Sequence, residues 1–440
     1  MKKLLLLTSM LAVACGGDAP RPNSAQLDSV ITPLAERYVK LVLAVGEHDA
    51  GYVDAYYGPQ AWREQVRAEK PPLDAIAARA DTLAAQLQPI DVSGAEEIVQ
   101  LRHRYLTKQL DALRAYVRVL RGEKMTFDEE SKALYDAVAP TYPESHFQTL
   151  LDSLNAVLPG TGSVAARFEQ YRRQFIIPPE RLDTVFKAAI AEARKRTLAH
   201  AQLPQVESFT LEYVTDKPWS GYNWYQGAAK SLIQINTELP IFIDRAIDLG
   251  AHEGYPGHHA YNALLEQHLV RDRGWPEFAV YPLFSPQSLI AEGSANYGID
   301  VAFPGDDRLA FERDELFPLA GLDTARAAEY NRVRGLADRL SYAGNEAARK
   351  YLNGEISADS AARWLNTYAL MEPERARQRV RFFDTYRSYV INYNYGRDLV
   401  REFVESRGGT ADAPDRRWAA FAELLSSPRL PSDLTEDRSQ

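Results

Sequence analysis

Cysteine is nearly missing from this chain: among 440 residues there is one, Cys15. That excludes an internal disulfide, a cysteine-bound metal and a thiol nucleophile from the whole chain beyond residue 15. Runs of one charge are missing too. Lys and Arg total 51 against 60 Asp and Glu, interspersed, for a formal net charge of -9. A nucleic-acid surface needs clustered cations, so no nucleic-acid partner is expected. No internal repeat of about 20 to 50 residues is visible. Long apolar runs are confined to the N-terminus, where Leu4 to Val13 is too short to span a bilayer as a mature helix. The remaining composition is ordinary for a soluble globular protein large enough to bury a substantial core.

The N-terminus reads as an export signal over residues 1–14, with Lys2 and Lys3 ahead of the apolar run. It ends in Ala12-Val13-Ala14-Cys15, which resembles a bacterial lipobox with Ala12 in place of the usual leucine. A lone cysteine at the cleavage point marks Cys15 for lipidation. Residues 15–25, rich in Gly, Pro, Asn and Ser, then form a flexible tether. The expected location is the bacterial cell envelope, with the lipid as the membrane contact.

Helical periodicity dominates the rest. Apolar residues recur at helical spacing over Leu27–Leu43, Ile98–Leu120, Leu182–Ala199 and Ala325–Leu352. Ser357–Leu370 and Glu374–Ser406 read as late helices, and Thr126-Phe127-Asp128-Glu129 as a capping box. Phe209–Tyr213 and Ser231–Asn236 alternate instead, around a turn-rich aromatic piece from Pro218 to Gly227. These predict a small antiparallel sheet beside the histidine cluster. The fold expected is mainly α, a large helical two-lobed protein with a central cleft. An N-terminal helical lobe spans 26–204 and the site-bearing lobe 205–440, with a seam near 201–208.

Of eight histidines, four fall between His252 and His268. His252-Glu253-Gly254-Tyr255-Pro256-Gly257-His258-His259 has the composition of a catalytic zinc site: imidazoles to bind the metal and a carboxylate beside the first ligand to act on water. The one-turn spacing H-E-x-x-H fails, because position 256 is proline. On a regular helix, residues six apart point about 240° away from each other. Pro256 cannot donate the backbone bond back to His252, and Gly257 permits unusual dihedrals. A two-residue bulge there returns His258 to the register of an i+4 partner. His252 and His258 are the expected ligands, with His259 the alternative; His268 reads as structural.

The H-E-x-x-P-G-H block resembles that of the bacterial proteins called domain of unknown function 885, which are grouped with the gluzincin metallopeptidases. The resemblance implies a third ligand from a downstream helix beginning Glu-Gly. Here Glu292 opens Glu292-Gly293-Ser294, with Ser294 where the family commonly has tryptophan. It also implies a late Tyr-x-x-Gly, matched by Tyr393-Asn394-Tyr395-Gly396. The activity it implies is that of a zinc (Zn2+) peptidase, the metal held by His252, His258 and Glu292. Glu253 is then the general base, and a tyrosine, Tyr393 ahead of Tyr395, the oxyanion donor. In similar peptidases an edge strand pairs with the extended substrate, which assigns peptide binding to Ile233, Gln234 and Asn236. Asn296 is a candidate to orient a ligand, the Tyr222–Tyr225 aromatics to line a wall, and Arg379 or Arg387 to meet a substrate carboxylate. Two rivals stay open: a zinc hydrolase of a non-peptide amide, and a non-catalytic lipoprotein that binds metal or peptide. Oligomeric state is not legible.

Overall fold

The computed structural model describes residues 23–217 and 219–436. The signal at 1–14, Cys15 and most of the tether lie outside them. The first helix, Ser24–Gly46, already takes the last two tether positions. Asn23 caps it, accepting from the amide of Gln26 while the Gln26 side chain accepts from the amide of Asn23. The capping box at Thr126 forms in the same way with Glu129.

The protein is mainly helical, with two small sheets. Strands β1 (Val53–Tyr56) and β5 (Val280–Pro282) pair antiparallel. Strands β2 (Ser208–Val214), β3 (Gly221–Gly227) and β4 (Lys230–Asn236) form the other sheet in the order β2-β4-β3. This sheet is mixed rather than antiparallel: β4 runs parallel to β2 and antiparallel to β3. The aromatic piece expected as turn is itself a strand, since β3 closes onto β4 through Ala228 and Ala229, both at positive φ. That left-handed turn is held by Glu266, whose carboxylate accepts from both alanine amides at 3.0 and 3.2 Å.

Two expected long helices are broken, each where a side chain elsewhere takes up the freed backbone. The 325–352 pattern becomes Ala327–Asp338 and Ala343–Leu352, and Asn394 donates to the Ser341 carbonyl at 3.1 Å in the gap. The 374–406 pattern becomes Pro373–Tyr386 and Ile391–Ser406, joined by the turn Arg387–Val390. There the buried carboxylate of Glu130 accepts from Ser388 through its amide (3.1 Å) and its hydroxyl (2.6 Å), and from Arg387 Nε at 2.5 Å.

Residues on both sides of 201–208 share one contiguous apolar core. The helices Asp244–Glu253, Pro286–Ala302 and Pro373–Tyr386 enclose, with β3 and the turn after Tyr386, a cavity of about 690 Å³.

Candidate metal centre

The Asp244–Glu253 helix stops at Gly254, and a second helix, His258–Leu265, begins after Gly257. Between them the hydrogen bonds span six residues instead of four: Gly257 N–H to Ala251 O (3.0 Å) and Ala260 N–H to Gly254 O (3.3 Å). Two additional residues are thus housed in an interruption of the helix, and the His252 and His258 rings meet edge to face, centroids 4.7 Å apart. Glycine is required at 257, because a Cβ there would stand 1.9 Å from the His252 carbonyl oxygen.

Glu292 reaches these rings from the Pro286–Ala302 helix. Its Oε2 lies 3.2 Å from His252 Nε2 and 3.8 Å from His258 Nε2, and the three donor atoms stand within 4.8 Å of one another. With metal bonds of about 2.1 Å, tetrahedral donors stand about 3.4 Å apart. Glu292 Oε2 is buried and has no hydrogen-bond partner among the described residues; a bound cation is what such an oxygen needs. Its other oxygen accepts from Tyr389 O–H at 2.8 Å. The residues fit a divalent metal.

Glycines let Glu292 come this close. A Cβ on Gly293 would sit 2.5 Å from the Gly396 backbone, and one on Gly396 2.8 Å from the Leu289 carbonyl oxygen. The Pro286–Ala302 and Ile391–Ser406 helices therefore touch backbone to backbone. The glycine of Glu-Gly and that of Tyr-x-x-Gly are two halves of one contact.

Electrostatics differ among the site groups. Burial pushes Glu253 up to about 7 and His258 down to about 4. Burial also opposes charge on His252, but Glu292 and Glu253 outweigh it, and that histidine titrates above its ordinary value. Glu292 is lowered because His252, His258 and Tyr389 outweigh its burial. Gly221 abuts Glu253, where a Cβ would stand 2.8 Å from Oε1, and Asn223 donates to the Glu253 carbonyl at 2.7 Å. Strand β3 thereby packs against the carboxylate from outside the helix.

The other expected residues divide. Tyr393 lines the cavity, and burial raises its hydroxyl well above the ordinary tyrosine value. Tyr395 is not among the lining residues. Asn296 lines the cavity but donates to the Tyr393 carbonyl at 3.1 Å rather than to a ligand. His259 is fully buried and turned away, its ring bonded to Ser231 (2.8 Å) and Glu207 (3.1 Å); it braces the site from behind. His268 is exposed.

The edge-strand assignment of Ile233, Gln234 and Asn236 is corrected: β4 is the central strand, its backbone bonded on both sides. Ile233 is buried, Gln234 bonds Trp224 and Glu212, and Asn236 donates to the Lys217 and Trp219 carbonyls. The strand along the cavity is β3, through Gly221, Tyr222 and Asn223. Of the aromatics on it, Tyr222 faces the cavity and bonds Asp54, whereas Tyr225 turns away to Glu266. Sequence reasoning missed Tyr389 and Asp54. Tyr389 precedes Tyr393 by four, a spacing undistinguished among 24 tyrosines.

No family model matches the chain, and no curated protein does. Several solved structures resemble it at low sequence identity, among them these three. A Colwellia psychrerythraea protein described as a lipoprotein gives a TM-score of 0.49 at 13% identity, over 83% of this chain and 68% of its own. Trypanosoma cruzi metallocarboxypeptidase 1 gives 0.45 at 12% over 94% and 95%. The M32 carboxypeptidase of Deinococcus radiodurans R1 gives 0.36 at 13% over 94% and 94%.

Proposed function

We propose that the protein is a zinc-dependent peptidase. The observation that carries this reading is the convergence of His252, His258 and Glu292, with a buried Glu292 oxygen facing both histidines and Glu253 next in chain to the first of them. Two imidazoles and a carboxylate are the ligand set of a catalytic zinc with one position open. Bound zinc supplies a Lewis acid and makes water acidic enough to lose a proton near neutral pH. Glu253 accepts that proton at its carboxylate and returns it to the departing amine, from a position next in chain to His252 and in the cavity wall. Tyr393, whose hydroxyl burial raises above the ordinary tyrosine value, donates to the carbonyl oxygen of the bond under attack. Strand β3 offers backbone groups to an extended chain in the cavity. The sequence around Cys15 supports lipid attachment in the envelope, which a Cys15→Ala chain appearing in the soluble fraction would support and an unchanged membrane fraction would refute.

The test is metal content beside turnover. Purified protein is expected to hold about one zinc per chain and to cleave peptides. Glu253→Gln should keep the metal and lose at least about 10²-fold in kcat, and His252→Ala should lose the metal. A His252→Ala chain that binds zinc as the parent does sinks the site. A Glu253→Gln chain that hydrolyses at the parent rate sinks the base.

A further inference from the structure

The cavity is lined by eight arginines. Five are neutralised by carboxylates: Arg173 by Glu372, Arg245 by Asp248, Arg308 by Glu312, Arg334 by Asp338 and Arg397 by Asp300. Three remain, Arg172, Arg375 and Arg379; Arg172 is answered by the charge of Asp244 and by the Tyr330 hydroxyl, and Arg379 is different. It projects from the Pro373–Tyr386 helix and forms no ion pair among the described residues, and its Nε is buried without a hydrogen-bond partner there. Its guanidinium instead lies over Phe382, 4.3 Å from the ring centroid, and 5.7 Å from that of Tyr393. Arg387, the other candidate from the sequence, is committed to Glu130.

Glu292 is the carboxylate whose charge reaches Arg379, but it makes no direct pair with it and faces the two histidines. An arginine set in a cavity wall without a direct carboxylate partner costs folding free energy, because its hydration is lost and little replaces it. Aromatic contact offsets part of that by covering a face of the guanidinium. It does nothing for the N–H groups, which point outward in the plane. A carboxylate is the partner that fits them, accepting two parallel hydrogen bonds. The location says which carboxylate. Tyr393, against which Arg379 sits, packs on Tyr389 with centroids 5.8 Å apart, and Tyr389 holds the metal ligand Glu292. Tyr393 and Tyr389 thus connect the Arg379 guanidinium to Glu292.

We infer that Arg379 receives the terminal α-carboxylate of the substrate, so that the enzyme acts on peptides with a free C-terminus and cuts close to that end. The inference rests on the peptidase reading and narrows it. Arg375, one turn earlier on the same helix and also in the wall without an ion pair among the described residues, adds positive charge to this end of the cavity.

Binding to a hydrolytically silent protein tests it. Zinc-loaded Glu253→Gln chain is titrated calorimetrically with acetylated tripeptides ending in Ala, Phe or Lys, each as free acid and as C-terminal amide. The acid of at least one pair is expected to bind at least about 10-fold more tightly, the scale of a charge-assisted pair. Adding Arg379→Met should bring that ratio to about one. Arg379→Lys, which keeps the charge and loses the fork, should leave an intermediate ratio. Acid and amide that bind alike before Arg379 is changed overturn the inference, as does a preference that survives Arg379→Met in a chain with native near-ultraviolet dichroism. If the methionine variant does not fold, an undiminished ratio in Arg379→Lys overturns it equally. The two readings fail differently. A zinc-loaded parent that cleaves no peptide sinks the peptidase assignment. A parent that cleaves acid and amide equally well leaves the peptidase standing and removes the carboxylate site.

Discussion

Tyr389 shows how much of the centre depends on a side chain outside the recognisable motifs. It donates to Glu292 Oε1 at 2.8 Å and leaves Oε2 to face the histidines. Hydrogen bonds to a ligand's far atom fix its orientation, and their loss typically weakens metal binding about 10- to 100-fold. Tyr389→Phe is expected to fall in that range when zinc is competed against a chelator, with the fold unchanged. Unaltered affinity would reduce Tyr389 to packing. Asp54 was equally hidden. It comes from β1, nearly 200 positions before the metal motif, and burial pushes it up to about 6 in the same cavity. No local pattern connects such residues to the ligands. The meeting of His252 and His258 was legible because the proline-glycine pair announced its own distortion, whereas Glu292 was pointed to only by the resemblance of its Glu-Gly to a family pattern.

At the scale of elements, helices were legible wherever an apolar stripe of period 3.6 was uninterrupted, and of their interruptions the one at Pro256-Gly257 was legible while those at 339–342 and 387–390 were not. The break at Arg387–Val390 exists because Glu130, some 257 positions away, binds that turn. The direction of β2 was hidden for a similar reason: alternation reports a strand but not its neighbour. The interruption at 254–257 has its own brace. Glu207 bonds Tyr255 and His259 and pairs with Arg194. Burial raises a carboxyl, yet these partners outweigh it and bring Glu207 down to about 2 from an ordinary 4.5. A depressed carboxyl contributes stability that is complete above its unfolded pKa and is lost as pH falls through the folded one. Acid unfolding between about pH 4.5 and 2 should therefore be steeper in the parent than in Glu207→Gln, already weakened at neutral pH. Equal slopes would mean the brace carries no charge-dependent stability. The Gly293–Gly396 contact makes a second demand. A Gly396→Ala methyl would meet the Leu289 carbonyl, backbone that cannot rotate away. A loss of about 1–3 kcal/mol in denaturant unfolding is expected, together with weaker zinc binding as Glu292 is displaced. A variant of parental stability and affinity would show that the helices can separate freely.

The whole molecule decides whether the 205–440 segment, which holds His252, His258 and Glu292, is a domain. Its apolar core is continuous with that of the preceding helices. Arg102, on the Glu97–Leu120 helix, is fully buried and bonds the equally buried Glu277 at 2.7 and 3.1 Å while stacking on Trp275. Tyr105 on the same helix donates to Gln287, in the first turn of the helix that carries Glu292. A segment cut at 205 would leave Glu277 buried without its cation and one face of the Glu292 helix open to water. Breaking a buried pair from one side costs about 3–5 kcal/mol, a large share of the stability of an ordinary domain. The 205–440 fragment is accordingly expected to lack a cooperative melt and to bind no zinc. In the full chain, Glu277→Ala should lower the midpoint of a single transition rather than split it in two. Calorimetry of both chains reads this directly. A fragment that melts cooperatively with zinc bound would show that the metal centre folds by itself, and that the N-terminal helices only wall the cavity.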